Sequence, residues 1–243
     1  MLSVICPIYN EEEYINQCIE SILMQDYPKN DLEILFVDGM SKDKTRDIVK
    51  EYSEKYPFIH LLDNPKKIVP CAMNIGIKAS RGDIIIRLDA HANYEKNYFS
   101  VLSHRLIELG AENVGVVCKT DVLNKTPKTF AIREVLSNKF GVGNSIFRTG
   151  VDKVMEVDTV PFGCWRRDVF DKYGLYDERL IRNQDFELNY RIRKGSGRIF
   201  IVPDSNCTYY ARESFKKLWI QNYKNGLWGI RTVLFTGNSN SLA

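Results

Sequence analysis

The sequence predicts an α/β protein built on a mostly parallel sheet flanked by helices. Three observations carry that expectation. Short, nearly continuous apolar runs recur through the first half of the 243 residues. Longer stretches whose apolar residues fall at helical spacing separate them. The two kinds alternate, and strands that are apolar throughout belong to a sheet covered on both faces.

The elements follow in order. "SVICPI" (3–8) is a strand, and Glu12–Gln25 is a helix with Tyr14, Ile15, Cys18, Ile19, Ile22 and Leu23 on its apolar side. "EILFVD" (33–38) is the second strand. Ser41, Asp43 and Thr45 then offer capping oxygens to a helix ending near Lys55. "FIHLLD" (58–63) is a third strand, Pro70–Ser80 a third helix and "GDIIIRLD" a fourth strand. Asn97–Leu109 is helical, closed by Gly110, and "VGVVCK" (114–119) is a fifth strand. Residues 120–160 are less regular, and the glycine-rich "KFGVGNSIFRTG" reads as a mobile loop. From Met155 come a short strand, "RRDVFDKYGLYDERL" as a helix with a glycine stop, "DFELNYRIRKGSG" as a helix ending at Gly195, and the strand "RIFIVP". No repeat, low-complexity segment or linker interrupts the chain, so residues 1–213 are expected to form one domain, with 214–243 as a helix and tail.

Composition excludes more than it assigns. Apolar residues make up 44% and charged residues 27%, the balance of an ordinary soluble domain. A net charge of +3 is too slight to argue for a nucleic-acid partner. A chain of this length buries roughly 70–75% of its unfolded surface and needs no disulfide. Its six cysteines form no C-x-x-C pair, and Cys6 and Cys118 lie in apolar runs, which points to reduced thiols, a reducing, cytoplasmic compartment and no zinc site. The start lacks a basic n-region, so no cleaved signal is expected. No apolar run approaches the ~20 residues of a membrane span.

In open parallel sheets, ligands bind outside the carboxyl ends of the strands. The polar residues there are Tyr9, Asn10 and Glu11 after the first strand, Asp38 after the second, and Asp89 with His91 after the fourth. In extended backbone Asp89 and His91 share a face. A carboxylate and an imidazole at one point suit Mn²⁺ or a related divalent ion that takes its other ligands from phosphates and water. A solvated turn is the alternative. No G-x-G-x-x-G follows the first strand, which removes support for a dinucleotide oxidoreductase.

Four ordered segments together resemble family 2 inverting glycosyltransferases of the GT-A fold. They are "SVICPIYNEEEYINQCIESILMQ", "EILFVDGMSKDKT", "NIGIKASRGDIIIRLDAHA" and "FGCWRRDVFDKYGLYDERLIRNQDFELNYRIRKGSGRIF". "LDAHA" with "RNQDFELNYRI" is most similar to the bacterial succinoglycan-type glucosyltransferases, and the resemblance spans roughly residues 2–225. It implies a nucleotide-sugar-binding half (1–119) and a smaller, mixed acceptor half (120–213). It places Pro7, Tyr9, Glu11, Asp38, Asn74, Arg81 and Asp89 at a UDP-sugar donor, with Mn²⁺ or Mg²⁺ on Asp89 and His91 as a "D-x-H" form of the family's "D-x-D". Met73 stands where many relatives carry an arginine, which leaves base selectivity open. Asp185 takes the family's base position, spelled "Q-D" here, and Trp165 and Gln184 fall on the acceptor side. Read without the family, each has a plainer role: Asp38 a turn former, Glu11 and Asp185 helix N-terminal charges, Arg81 a surface arginine, Trp165 a core aromatic. Arg191 is expected to pair with a carboxylate or a phosphate.

In "SFKKLWIQNYKNGLWGIRTVLF" (214–235), Phe215, Trp219, Tyr223 and Leu227 recur every four residues, and Lys217, Lys224 and Arg231 every seven. This fits a helix lying on an anionic membrane surface, on the inner face of the cell membrane, or equally a helix packed on the domain with its lysines solvated. Gly226 and Gly229 are expected to weaken it. Relatives that add many sugars carry "Q-x-x-R-W". Here Gln221 and Trp228 have the wrong spacing, which implies transfer of single hexoses to a lipid-linked or polysaccharide acceptor. "TGNSNSLA" ends polar and abrupt where relatives often continue into membrane segments. The competing readings are a nucleotidyltransferase, against which the acidic "PIYNEEE" counts, and a non-catalytic nucleotide-sugar-binding subunit.

Overall fold

The computed structural model describes residues 1–142 and 145–237. β1 (Leu2–Ile8), α1 (Ile15–Leu23), β2 (Leu32–Asp38), α2 (Thr45–Lys55), β3 (Ile59–Asp63), α3 (Val69–Ala79) and β4 (Ile84–Arg87) alternate as the periodicity predicts. There follow β5 (Ala92–Tyr94), α4 (Tyr98–Glu108), β6 (Asn113–Asp121) and α5 (Pro127–Ser137). After the single turns α6 (Lys139–Val142) and α7 (Ile146–Thr149) come β7 (Met155–Glu156), β8 (Cys164–Arg166), α8 (Asp168–Tyr173), α9 (Gln184–Lys194), β9 (Ile199–Tyr210) and α10 (Phe215–Thr236).

One sheet runs β3-β2-β1-β4-β8-β6-β9-β5, with β7 on β9. β3, β2, β1 and β4 are parallel throughout. The second half is mixed: β8 lies antiparallel between β4 and β6, β5 and β7 run against β9, and β6 and β9 are parallel. Strand alternation sends Val4 and Cys6 to one face, against Ile15, Cys18, Ile19 and Ile22 of α1 and Phe99 and Leu102 of α4. It sends Ile5 to the other, against Met73 and Ile77 of α3 and Leu188 and Ile192 of α9. All six cysteines are buried and free. Pro7, which has no N–H to give, falls where the β1–β4 register has already ended at Ile5 opposite Arg87, while the pairing of β1 with β2 continues to Ile8.

Three expectations change. The expected loop over 139–150 holds the helical turns α6 and α7, with residues 143 and 144 outside the described residues. β9 continues past "RIFIVP" to Tyr210, because the register slips between Val116 and Val117 and lets Pro203, which has no N–H to give, stand out of the ladder. α10 runs unbroken through Gly226 and Gly229. Ser214 caps it by accepting from Lys217 N at 3.2 Å, and the buried Leu218, Gly229 and Thr232 anchor it, offsetting the ~1 kcal/mol each glycine costs. The end of the expected tail, residues 238–243, lies outside the described residues.

Candidate active site

β1, β2 and β4 are parallel, so their carboxyl ends open on one side. The loops there are laced together. Asn10 N donates to Ser41 Oγ (2.8 Å), Lys42 N to Asn10 Oδ1 (2.9 Å), Glu11 N to Thr45 Oγ1 (2.7 Å) and Glu12 N to Asp43 Oδ2 (3.2 Å). Asp43 also accepts from Thr45 N and its hydroxyl. Ser41, Asp43 and Thr45, expected as caps for α2, instead fix the shape of the loop after β1, and the N-cap position of α2 falls to Lys44, which makes no side-chain cap bond. A cleft of about 550 Å³ opens above it, lined among others by Tyr9, Glu11, Tyr14, His91, Tyr210 and Arg212.

The turn carrying Asp89 is pinned by Tyr94, whose hydroxyl accepts from Asp89 N (2.7 Å) and donates to Asp89 O (3.0 Å). His91 Nε2 then lies 4.0 Å from Asp89 Oδ2, and its Nδ1 lies 3.5 Å from Glu11 Oε1. The rings of Tyr14 and Tyr209 pack against the imidazole in T-shaped contacts, with centroids 6.3 and 5.2 Å away. Burial works against a charged imidazole, but the hydrogen bond to Glu11 and the charge of Asp89 outweigh it and hold His91 above its ordinary value. Among the described residues no group of three or more His, Cys, Asp or Glu side chains is arranged to enclose a metal. One carboxylate and one imidazole fit an ion that completes its shell with phosphate oxygens and water.

Asp185 reaches the same place from the first turn of α9, where the helix N-terminus favours a carboxylate. Arg87 makes the connection. Its Nη1 donates to Asp185 Oδ1 (2.5 Å) and Oδ2 (2.6 Å), and its Nη2 donates to Asp89 Oδ1 (3.2 Å). The side chains of Arg87, Asp89 and Asp185 are 6%, 20% and 24% exposed. Burial raises the Asp185 carboxyl above the usual range, and Arg87 pulls it only part of the way back. Arg87 itself is held charged against burial by Asp185 and Asp89. Sequence reasoning passed over Arg87. The available signal was a lone arginine closing an otherwise apolar strand, two residues before Asp89 and so on its face.

The profile of the family described as Glycosyl transferase family 2 matches residues 3–174. The chain belongs to glycosyl transferase family 2. It is 32% identical over 230 residues to the dolichyl N-acetyl-alpha-D-glucosaminyl phosphate 3-beta-D-2,3-diacetamido-2,3-dideoxy-beta-D-glucuronosyltransferase of Methanococcus voltae, covering 93% of this chain and 71% of that protein. It is 30% identical over 234 residues to succinoglycan biosynthesis protein ExoA of Rhizobium meliloti, covering 92% and 67%. Its fold matches the mannosyltransferase PcManGT from Pyrobaculum calidifontis, solved with GDP-Man and Mn²⁺, at a TM-score of 0.72 and 19% identity over 96% of this chain and 64% of that one. S. aureus TarS 1-349, solved with UDP-GlcNAc, matches at 0.67 and 19% over 96% and 66%. The chain spans slightly less than two thirds of those two structures, and the shared architecture is the GT-A fold. Asp185 lies beyond the residues the family profile matches.

Within this family 2 domain, several residues sit elsewhere than the resemblance implied. Arg81 precedes β4 and lies at the amino ends of the strands, where its backbone N (2.5 Å) and Nε (2.9 Å) donate to Glu33. At about 3.3 Å per residue, β4 itself separates it from Asp89, and its direction alone would have told this. Asn74 is 5% exposed and fully engaged: Oδ1 accepts from Tyr176 N (2.9 Å), while Nδ2 donates to Tyr176 O (2.9 Å) and Glu178 Oε1 (3.1 Å). Trp165 is 1% exposed, packed against Phe170 and Tyr176, and has no face to offer a sugar. Met73 is core. Asp38 is buried; its carboxylate accepts from Ser41 N (3.0 Å), Ser41 Oγ (2.5 Å) and Arg46 Nη1 (2.5 Å), and so shapes the loop after β2. Pro7 and the exposed Tyr9 lie beside it, with Tyr9 packed over Gly39. Gln184 is largely buried at the start of α9. Arg191 pairs with the Glu187 carboxylate and with the carbonyls of Tyr173, Gly174 and Leu175.

Proposed function

We propose that the chain is an inverting transferase moving a single hexose from a UDP-sugar to a lipid-linked or polysaccharide acceptor in surface or exopolysaccharide synthesis. One observation carries the reading: Arg87 joins Asp89, at the strand end that meets the donor, to Asp185 on the acceptor half. Asp185 takes the proton of the acceptor hydroxyl while that oxygen attacks the anomeric carbon and the nucleoside diphosphate leaves from the opposite face. Its raised carboxyl suits a base, and such help is typically worth ~10²–10⁴-fold. Asp89 and His91 are the residues that would hold Mn²⁺ or Mg²⁺, which when bound would supply positive charge for the leaving diphosphate. A relative named for a dolichyl-linked phosphate and a neighbour solved with UDP-GlcNAc support the donor and acceptor classes.

α10 supports a peripheral seat on the cytoplasmic face of a membrane. Its Phe215, Trp219, Tyr223, Ile230 and Leu234 are exposed, and Trp219 is stacked on Tyr223. Among the described residues no helix is long and apolar enough to cross a membrane. UDP release measured across a panel of UDP-sugars with Mn²⁺ and glycolipid acceptors tests the reading. Wild type releases UDP, and Asp185→Asn loses transfer while still binding UDP. A fully active Asp185→Asn overturns the assignment.

A further inference from the structure

We propose that Arg87 is a positioning residue whose guanidinium joins the Asp89 and Asp185 carboxylates, so that a divalent cation reaching Asp89 displaces one arm of it. The proposal rests on the reading of Asp89 as a cation ligand and of Asp185 as the base.

The geometry supplies the competition. Nη2 of Arg87 occupies Asp89 Oδ1 at 3.2 Å, an oxygen a cation at that carboxylate would share. Nη1 holds both oxygens of Asp185, so the same rigid fork fixes the base. Arg87 is buried, and its Nε has no partner among the described residues. Its guanidinium charge is therefore answered by these two carboxylates, with the Phe162 ring 5.9 Å away. The Tyr176 hydroxyl is buried beside the pair, near both Arg87 and Asp185 but without a well-aligned hydrogen bond to either, so a released arm finds an acceptor already at hand. Two sites that share one bridging group influence each other reciprocally. Loading the cation thus shifts Arg87 toward Asp185 and Tyr176, and loosening Asp185 strengthens Arg87's hold on Asp89.

The test is Mn²⁺ binding alone, without nucleotide, followed by calorimetry on chains whose melting is cooperative. Arg87→Met removes the competitor and is expected to bind Mn²⁺ about tenfold more tightly, within the range usual for coupled sites. Arg87→Lys keeps the charge but cannot span both carboxylates; it should also bind more tightly, by about threefold, and it decides the question if Arg87→Met does not fold. Asp185→Asn frees Arg87 for Asp89 and weakens Mn²⁺ binding. In UDP-release assays Arg87→Lys lowers kcat while leaving donor KM little changed. Unchanged or weaker Mn²⁺ binding in the Arg87 variants overturns the clamp, even where Asp185→Asn abolishes transfer. An active Asp185→Asn overturns the catalytic reading and leaves the Mn²⁺ comparison to judge the clamp.

Discussion

Replacing Asn74 by alanine separates the role the structure gives this residue from the donor contact its family position implied. Its amide is a latch between α3 and the segment that leads toward Asp185, with bonds at 2.9, 2.9 and 3.1 Å to Tyr176 N, Tyr176 O and Glu178. Alanine orphans the N–H and C=O of Tyr176, a residue 3% exposed. An orphaned buried polar group costs ~1–3 kcal/mol, so the two together cost about 3 kcal/mol after partial relaxation. At ~2–4 °C per kcal/mol for a chain of this size, Tm falls by about 6–12 °C. The Glu178 bond adds little. That carboxyl is partly exposed and is held down at about 2 first by Lys66 and only then by Asn74. Asn74→Asp should be at least as damaging, since it loses both donors and sets a second carboxylate against Glu178. The assay is thermal melting beside UDP titration by calorimetry. A variant melting within about 2 °C of wild type but losing UDP affinity tenfold would refute the latch and return Asn74 to the donor.

Other expectations follow from the same contacts. In the cation-free chain the raised His91 contributes stability that is complete below its unfolded value near 6.5 and is lost as pH rises through the folded value. The Tm gap between wild type and His91→Gln should therefore be widest in acid and close in alkali, while Mn²⁺ binding strengthens with rising pH because the proton must leave. A gap that widens with pH sinks this account. Arg81→Ala removes one bond to the buried Glu33, costing about 1 kcal/mol or about 2–4 °C. Donor KM stays at the wild-type value, and a large rise in it would place Arg81 at the nucleotide after all. Co-sedimentation with anionic and neutral vesicles tests α10. At ~1 kcal/mol per basic side chain near the surface, Lys224→Gln with Arg231→Gln weakens anionic binding about 30-fold, and Trp219→Ser weakens both kinds. Absence of vesicle binding by wild type removes the membrane proposal.

The parallel half of the sheet was legible because its signals are local. Apolar runs and helical spacing mark β1 to β4 and the helices between them, and strand direction places Asp89 and His91 just past the carboxyl edge of the parallel strands. What escaped depends on partners far along the chain. β8 slips antiparallel between β4 and β6 with three residues, too few to show a period. Asn74 is consumed by Tyr176, 102 residues later, and Trp165 faces a core assembled from α8 and the 175–178 segment. Arg81 was the avoidable miss, because its place before β4 already put it at the wrong end.

The order of residues alone determined which segments are strands and helices, and which carboxylates emerge where the strands stop, because both follow from the period of the backbone and the direction of the chain. Only the tertiary structure decided which of those groups are free and which are spent on one another. Hydrogen bonds and ion pairs are short-ranged, so the bridge from Asp89 through Arg87 to Asp185 exists only once α9 has docked against the end of β4.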